Sequence, residues 1–134
     1  EPTGVEALLL VEGLATVEVD VLLDLSVSHE HPADLRVTLL HKGAPTLIAG
    51  ATGEVWINAS GSSALATGGT GDVLTGLVAA RLAQGDDPAR AAQLAVHLHG
   101  LAGDLAVAAG VTPAVPAGTL VEYLSQAYDK LAKA

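Results

Sequence analysis

Hydrophobic and polar residues alternate along the first part of the chain. From 17 to 27 every second residue is apolar, and the positions between them include Glu18, Asp20 and Asp24. A period of two is typical of a β-strand that buries one face. The pattern therefore predicts a long strand over 17–27.

Shorter extended runs follow this segment. The stretch 29–34 is predicted to turn, and 35–40 is predicted to form a second strand. The runs 46–49 and 54–57 are expected to pair as a hairpin, because the residues between them are typical of a turn. Together these runs predict a small sheet in the first half of the molecule.

The second half has a helical period instead. The segment 72–83 is rich in alanine and leucine, and the pair Asp87-Pro88 predicts an N-cap followed by proline in the first turn of a second helix. That helix is expected to run until Gly110, and a third is predicted from about Thr119. We therefore predict one α+β domain over 1–134, with a small N-terminal β-sheet covered by three C-terminal helices.

Composition narrows the functional class. Half of the 134 residues are hydrophobic but only 2% are aromatic, so the core must be built from alanine, valine, leucine and isoleucine. Six basic residues against 15 acidic ones give a net charge of −9, which argues against binding to nucleic acid or to anionic membranes. The chain has no cysteine, which excludes disulfides and Cys-ligated zinc. We expect a cytoplasmic protein without a membrane span.

A glycine-rich loop carries the main chemical signal. Gly68, Gly69 and Gly71 precede Asp72, and an apolar segment begins at Val73. Glycines let backbone N–H groups converge where a helix starts, and a helix N-terminus favours anions. A carboxylate at the edge of such a pocket can accept a proton from a reacting group. The loop therefore predicts phosphoryl transfer, or a reaction that passes through it.

A structural interpretation of the same residues stays open. An ordinary loop followed by a helix with an acid in its first turn has the same spacing. The loop is not a Walker A motif, because no Gly-Lys-Ser/Thr follows, and it lacks the Gly-x-Gly-x-x-Gly dinucleotide fingerprint. If the loop binds phosphate, another architecture is implied.

Three blocks occur in an order that resembles one family. They are Lys-Gly-Ala-Pro-Thr-Leu-Ile-Ala at 42–49, Ala-Leu-Ala-Thr-Gly-Gly-Thr-Gly-Asp-Val-Leu-Thr-Gly at 64–76 and Leu-His-Gly-Leu-Ala-Gly-Asp at 98–104. Over 42–134 the chain resembles the C-terminal part of the ADP- or ATP-dependent NAD(P)H-hydrate dehydratases, which are ribokinase-like. The resemblance implies a partial ribokinase-like α/β fold and a nucleotide-binding part at 42–134. Residues 1–41 are predicted to form a β-rich segment of uncertain origin, and 14–40 resembles a hairpin of the P domains of subtilisin-like proteases.

The resemblance also implies roles for individual residues. It implies ADP or ATP with Mg²⁺ as cofactors and NAD(P)H hydrate as the substrate. Asp72 would contact that substrate and act as the base for its C6 hydroxyl, which is phosphorylated and then eliminated. The nucleotide site would be lined by Lys42, Gly43, Ala44, Pro45 and Thr46, and the anion hole would be formed by Ala66, Thr67, Gly68, Gly69, Thr70 and Gly71.

Two other functions remain open. The chain is shorter than the family's domain, so it is also consistent with a recombined or truncated domain that catalyses nothing. A β-rich interaction module with a purely structural glycine loop is the other alternative. A shortened domain would leave apolar surface uncovered, so we expect a homo-oligomer.

The remaining polar residues are expected to serve structure. On a strand, His29 and His31 would share one face, with His41 as a possible third metal ligand. Such residues lie more often in polar turns, so no metal site is predicted. His99 is expected to pack at a helix interface. Asp104 is expected to cap or pair locally.

Overall fold

The computed structural model describes residues 38–41 and 45–133. The predicted strand at 17–27, the turn at 29–34 and the nucleotide-site residues 42–44 lie outside the described residues. Within them the strands are β1 (Leu39–His41), β2 (Thr46–Ala49) and β3 (Val55–Asn58). A short 3₁₀ turn (Ser63–Leu65) precedes the helices α1 (Thr70–Ala83), α2 (Pro88–Ala108) and α3 (Ala117–Leu131).

The three strands form an antiparallel sheet in the order β1-β2-β3. Leu40, Ile48 and Trp56 lie side by side in its register and pack towards α1 and α2. The predicted hairpin is confirmed, and Gly53 closes its turn with a φ of 97°. The opposite face of the sheet carries the half-exposed or exposed side chains Leu47, Val55 and Ile57.

The three helices begin and end close to the predicted positions. α1 and α3 each begin two residues earlier than expected, at Thr70 and Ala117. Asp87 caps α2 as predicted, because its side chain accepts the N–H groups of residues 89 and 90 at 3.1 Å. Gly110, with a φ of 94°, follows the end of α2. The prediction of an α+β domain with three C-terminal helices is confirmed.

The α2 helix lies at the centre of the packing. One core lies between the sheet, α1 and α2, and a second lies between α2, α3 and the 3₁₀ turn. Alanines fill the buried face of α2, which lets the neighbouring helices approach it closely. In the part of the chain that the structure describes, none of the helices is long and apolar enough to cross a bilayer.

Two neighbouring residues of α3 test this packing. Leu120 is fully buried in the second core, whereas Val121 is 52% exposed. We expect Leu120→Ala to lower the free energy of unfolding by about 2–5 kcal/mol, because it removes buried methyl groups and leaves a cavity. Val121→Ala is the control and should change it by less than about 0.5 kcal/mol. Urea unfolding followed by circular dichroism measures both, and equal losses would contradict the placement of α3.

Candidate phosphate-binding site

The glycine loop leads directly into α1. Gly69 precedes the first helical residue and has a φ of 86°, a conformation that side chains rarely adopt. A β-carbon at this position would also lie 3.1 Å from the Cβ of Ala117, so the loop passes close to the start of α3. Both observations explain why a glycine is required between the loop and the helix.

The first turn of α1 presents free backbone donors. The N–H groups of Thr70 and Val73 donate to carbonyl groups of the loop, at 3.4 and 3.2 Å. Those of Gly71 and Asp72 bond to no acceptor in the ranges 38–41 and 45–133. The Asp72 side chain is exposed beside them. Free N–H groups at the positive end of a helix dipole are the arrangement that binds anions.

The two threonine hydroxyls of the loop hold it in shape. Thr67 Oγ1 donates to the carbonyl of Val115 at 2.6 Å. Thr70 is fully buried, and its Oγ1 lies 2.8 Å from the carbonyl oxygen of Leu65 and 2.9 Å from that of Thr67. A hydroxyl has one proton to donate, and these protons are directed at carbonyl groups of the chain. The donors that the loop offers to an anion are therefore backbone N–H groups.

The segment before the loop is fastened to α2 by hydrogen bonds. Ser60 Oγ lies 3.0 Å from the carbonyl oxygen of His97, and the N–H of Gly61 donates to Asp104 Oδ2 at 2.9 Å. The prediction that Asp104 caps or pairs locally is wrong, because its partner lies 43 residues earlier in the chain. Asn58 ends β3 and donates to the carbonyl of Ser60 at 2.8 Å, so it also holds this segment.

Close approach of the backbones accompanies these bonds. A β-carbon on Gly100 would lie 2.3 Å from Ser60 Oγ and 2.6 Å from its carbonyl carbon. A β-carbon on Gly103 would lie 2.7 Å from the side chain of Leu65. Sequence reasoning missed this contact, although two glycines three residues apart lie on one face of a helix and indicate a close neighbour.

His99 joins α2 to the glycine loop. Its side chain is 5% exposed, and Nε2 lies 2.9 Å from the carbonyl oxygen of Thr70. Because a carbonyl oxygen only accepts hydrogen bonds, Nε2 must carry the proton. His99 therefore packs at the interface of α1 and α2, as predicted.

A cavity of about 280 Å³ lies beside this interface. Of the residues predicted to bind nucleotide, Pro45 and Thr46 line it, and His99 forms another part of its wall. The anion-hole residues at 66–71 do not line it. His99 therefore borders this cavity and also contacts the carbonyl of Thr70 at the start of α1.

The described ranges bring no three metal-ligating side chains together. His29 and His31 lie outside those ranges, and the side chain of His41 is not described. The prediction that there is no protein metal site stays a prediction.

Fold and loop together define an α+β domain with an anion-binding geometry at a helix N-terminus. A family model described as NAD(P)H-hydrate dehydratase matches residues 5–126. The chain belongs to this family. The match begins well before residue 42, where the sequence resemblance was located, and the division of the chain at residue 41 stays a prediction.

Individual relatives agree with this assignment. A bifunctional NAD(P)H-hydrate repair enzyme of Moorella thermoacetica is 42% identical over 75% of this chain, and an ADP-dependent (S)-NAD(P)H-hydrate dehydratase of Bacillus subtilis is 43% identical over 57%. The crystal structure of an ADP/ATP-dependent NAD(P)H-hydrate dehydratase from Bacillus subtilis, co-crystallized with ATP/Mg²⁺, matches 69% of the chain with a TM-score of 0.66 and 35% identity. The chain covers only 19% and 28% of the two relatives and 34% of the crystallized chain.

The contact at Gly100 generates a test with a matched control. Gly100→Ala forces a methyl group against backbone atoms of Ser60, so we expect the free energy of unfolding to fall by about 1–3 kcal/mol. Gly76 lies exposed in α1 with nothing within 4 Å of an added β-carbon. Gly76→Ala should therefore raise it by about 0.5–1 kcal/mol. Thermal and urea unfolding measure both, and stabilisation by both alanines would contradict the close approach.

Proposed function

We propose that the chain carries the nucleotide-binding part of an ADP- or ATP-dependent NAD(P)H-hydrate dehydratase. The observation that carries the proposal is the free N–H groups of Gly71 and Asp72 at the positive end of α1, beside an exposed carboxylate. The family membership and the co-crystallization of a structural neighbour with ATP/Mg²⁺ support the choice of ligand.

In the proposed reaction the hydroxyl group at C6 of the hydrate attacks the terminal phosphorus of the nucleotide. The Asp72 carboxylate takes the hydroxyl proton, and the bond to the departing nucleotide breaks. The free backbone N–H groups at the start of α1, those of Gly71 and Asp72, stabilise the negative charge that develops on the transferring phosphoryl group. Loss of phosphate and a proton from the phosphorylated hydrate then restores the double bond of NAD(P)H.

The remaining nucleotide contacts are assigned to the residues that precede or open β2. Lys42 would face a phosphate, and Gly43, Ala44, Pro45 and Thr46 would lie along the nucleotide; Pro45 and Thr46 line the cavity next to His99. Mg²⁺ usually keeps several waters and binds through one or two carboxylates and the substrate's phosphates, which suits a site without a cluster of ligating side chains within 38–41 and 45–133. When bound, it would neutralise phosphate charge.

Titration with ADP and ATP in the presence of Mg²⁺ tests this function by calorimetry. We expect binding by the wild-type chain, weaker binding by Lys42→Ala and retained binding by Asp72→Asn. Turnover of NADPH hydrate, measured by absorbance, should fall by about 10²–10⁴-fold in Asp72→Asn, because the amide cannot accept the proton.

Asp129→Asn is the matched control for charge removal. Asp129 is exposed on α3, about 18 Å along the helix from Ala117. The Asp129→Asn variant should change neither nucleotide binding nor turnover of NADPH hydrate. Absence of nucleotide binding at millimolar concentration would overturn the proposal, and binding without turnover would favour a catalytically inactive domain.

We also propose that the chain forms a homo-oligomer. The supporting observation is the apolar outer face of the sheet, where Leu47 and Ile57 are cross-strand partners and Val55 lies next to them. Val55 and Ile57 are 62% and 68% exposed, and adjacent apolar side chains of this kind mark association surfaces.

Light scattering coupled to gel filtration tests association through this face. We expect the wild-type chain to be larger than a monomer and Ile57→Lys to shift it towards the monomer, because the charge cannot be buried without a partner. Glu122→Lys, on the exposed part of α3, is the control for added positive charge. A wild-type monomer at all concentrations would contradict the proposal.

A further inference from the structure

We propose that His99 is a positioning residue for the proposed phosphoryl transfer. Its Nε2–H fixes the carbonyl of Thr70, and through it the first turn of α1 that carries the free N–H groups and the Asp72 carboxylate. The expected effect of His99 on catalysis rests on the proposed function. The structural part of the inference can be tested without any ligand.

The hydrogen bond acts at the residue where the orientation of the loop is decided. Thr70 is the first residue of α1, and its carbonyl is followed immediately by the N–H of Gly71 in the same peptide plane. Because the peptide is planar, a hydrogen bond that holds the carbonyl oxygen of Thr70 also fixes the direction of the N–H of Gly71. A carbonyl oxygen has two lone pairs, so it can accept from His99 and still accept from the helix.

The hydrogen bond from His99 to Thr70 lies in a buried part of the molecule. His99 is 5% exposed, and Thr70 is fully buried. Both partners are buried, so removing the donor costs the hydrogen bond that the carbonyl of Thr70 accepts from His99. The next turn of α1 is held by packing, because Leu74 is buried in the first core.

Two further hydrogen bonds join α2 to the segment at 60–61. Gly61 bonds to Asp104 and Ser60 to the carbonyl of His97, and both contacts hold the segment that precedes the glycine loop. The bond from His99 joins a side chain of α2 directly to the backbone of α1. It therefore sets how the first turn of α1 is oriented on α2.

Amide hydrogen exchange in the ligand-free, isotope-labelled full chain tests the structural part. The amide of Val73 donates to the carbonyl of Gly69 across the first turn, and the amide of buried Val96 in α2 reports on the fold as a whole. We expect His99→Leu to speed exchange at Val73 by about tenfold relative to Val96. His99→Gln keeps an N–H donor and should restore most of the protection.

His97→Leu is the matched control. It makes the same chemical change two residues away, where the side chain points to another side of the helix. It should leave the ratio of the two exchange rates unchanged. Should His99→Leu not fold, His99→Asn replaces it, because the shorter amide keeps the polarity and loses the reach.

Steady-state kinetics test the catalytic part. We expect His99→Leu to lower kcat by about 10–100-fold while KM for ATP changes by less than about threefold. The N–H groups and the carboxylate that the substitution misplaces act on the phosphoryl group during its transfer. His99→Gln should recover kcat. An inactive wild-type chain would overturn the proposed reaction, and the exchange ratio would still decide the positioning role. Unchanged exchange at Val73 relative to Val96, or equal effects of His97→Leu and His99→Leu, would overturn the inference.

Discussion

The close approach of the segment at 60–65, which precedes the glycine loop, to the middle of α2 is the constraint on which the rest of the structure depends. Side chains at Gly100 or Gly103 would collide with Ser60 and Leu65, so the absence of both side chains admits the segment that precedes the glycine loop. Hydrogen bonds can then form, including the one from the N–H of Gly61 to a carboxylate of α2. The loop is thereby placed before any ligand is bound.

This placement gives the loop its proposed chemistry. A flexible glycine segment would have to be ordered when a phosphate binds, and that ordering opposes binding. Here Thr67 and Thr70 direct their hydroxyl protons at carbonyl groups, which leaves backbone N–H groups to face a ligand. Electrostatic stabilisation of a transferring phosphoryl group depends on donors that are already oriented, and the geometry at the start of α1 meets that condition.

Much of the architecture could be predicted from local patterns. The hairpin around Gly53, the Asp87 cap and the stop at Gly110 follow from turn and capping chemistry, which acts over a few residues. The predicted starts of α1 and α3 lie two residues too late, because neither Gly69 nor Pro116 caps its helix with a side chain. Asp104 was misassigned for another reason: its partner is 43 residues away, and spacing carries no information at that distance.

The sequence by itself determined the elements, the family resemblance and the motif that bears the chemistry, because each depends on residues that are neighbours along the chain. Only the tertiary structure decided which group His99 bonds to and which donors of the loop remain free. Those properties depend on how α2 packs against α1, since a hydrogen bond between Nε2 and the carbonyl of Thr70 joins residues 29 positions apart. The packing of strand β2 against two helices also places Thr46 at a cavity that residues 66–71 do not line.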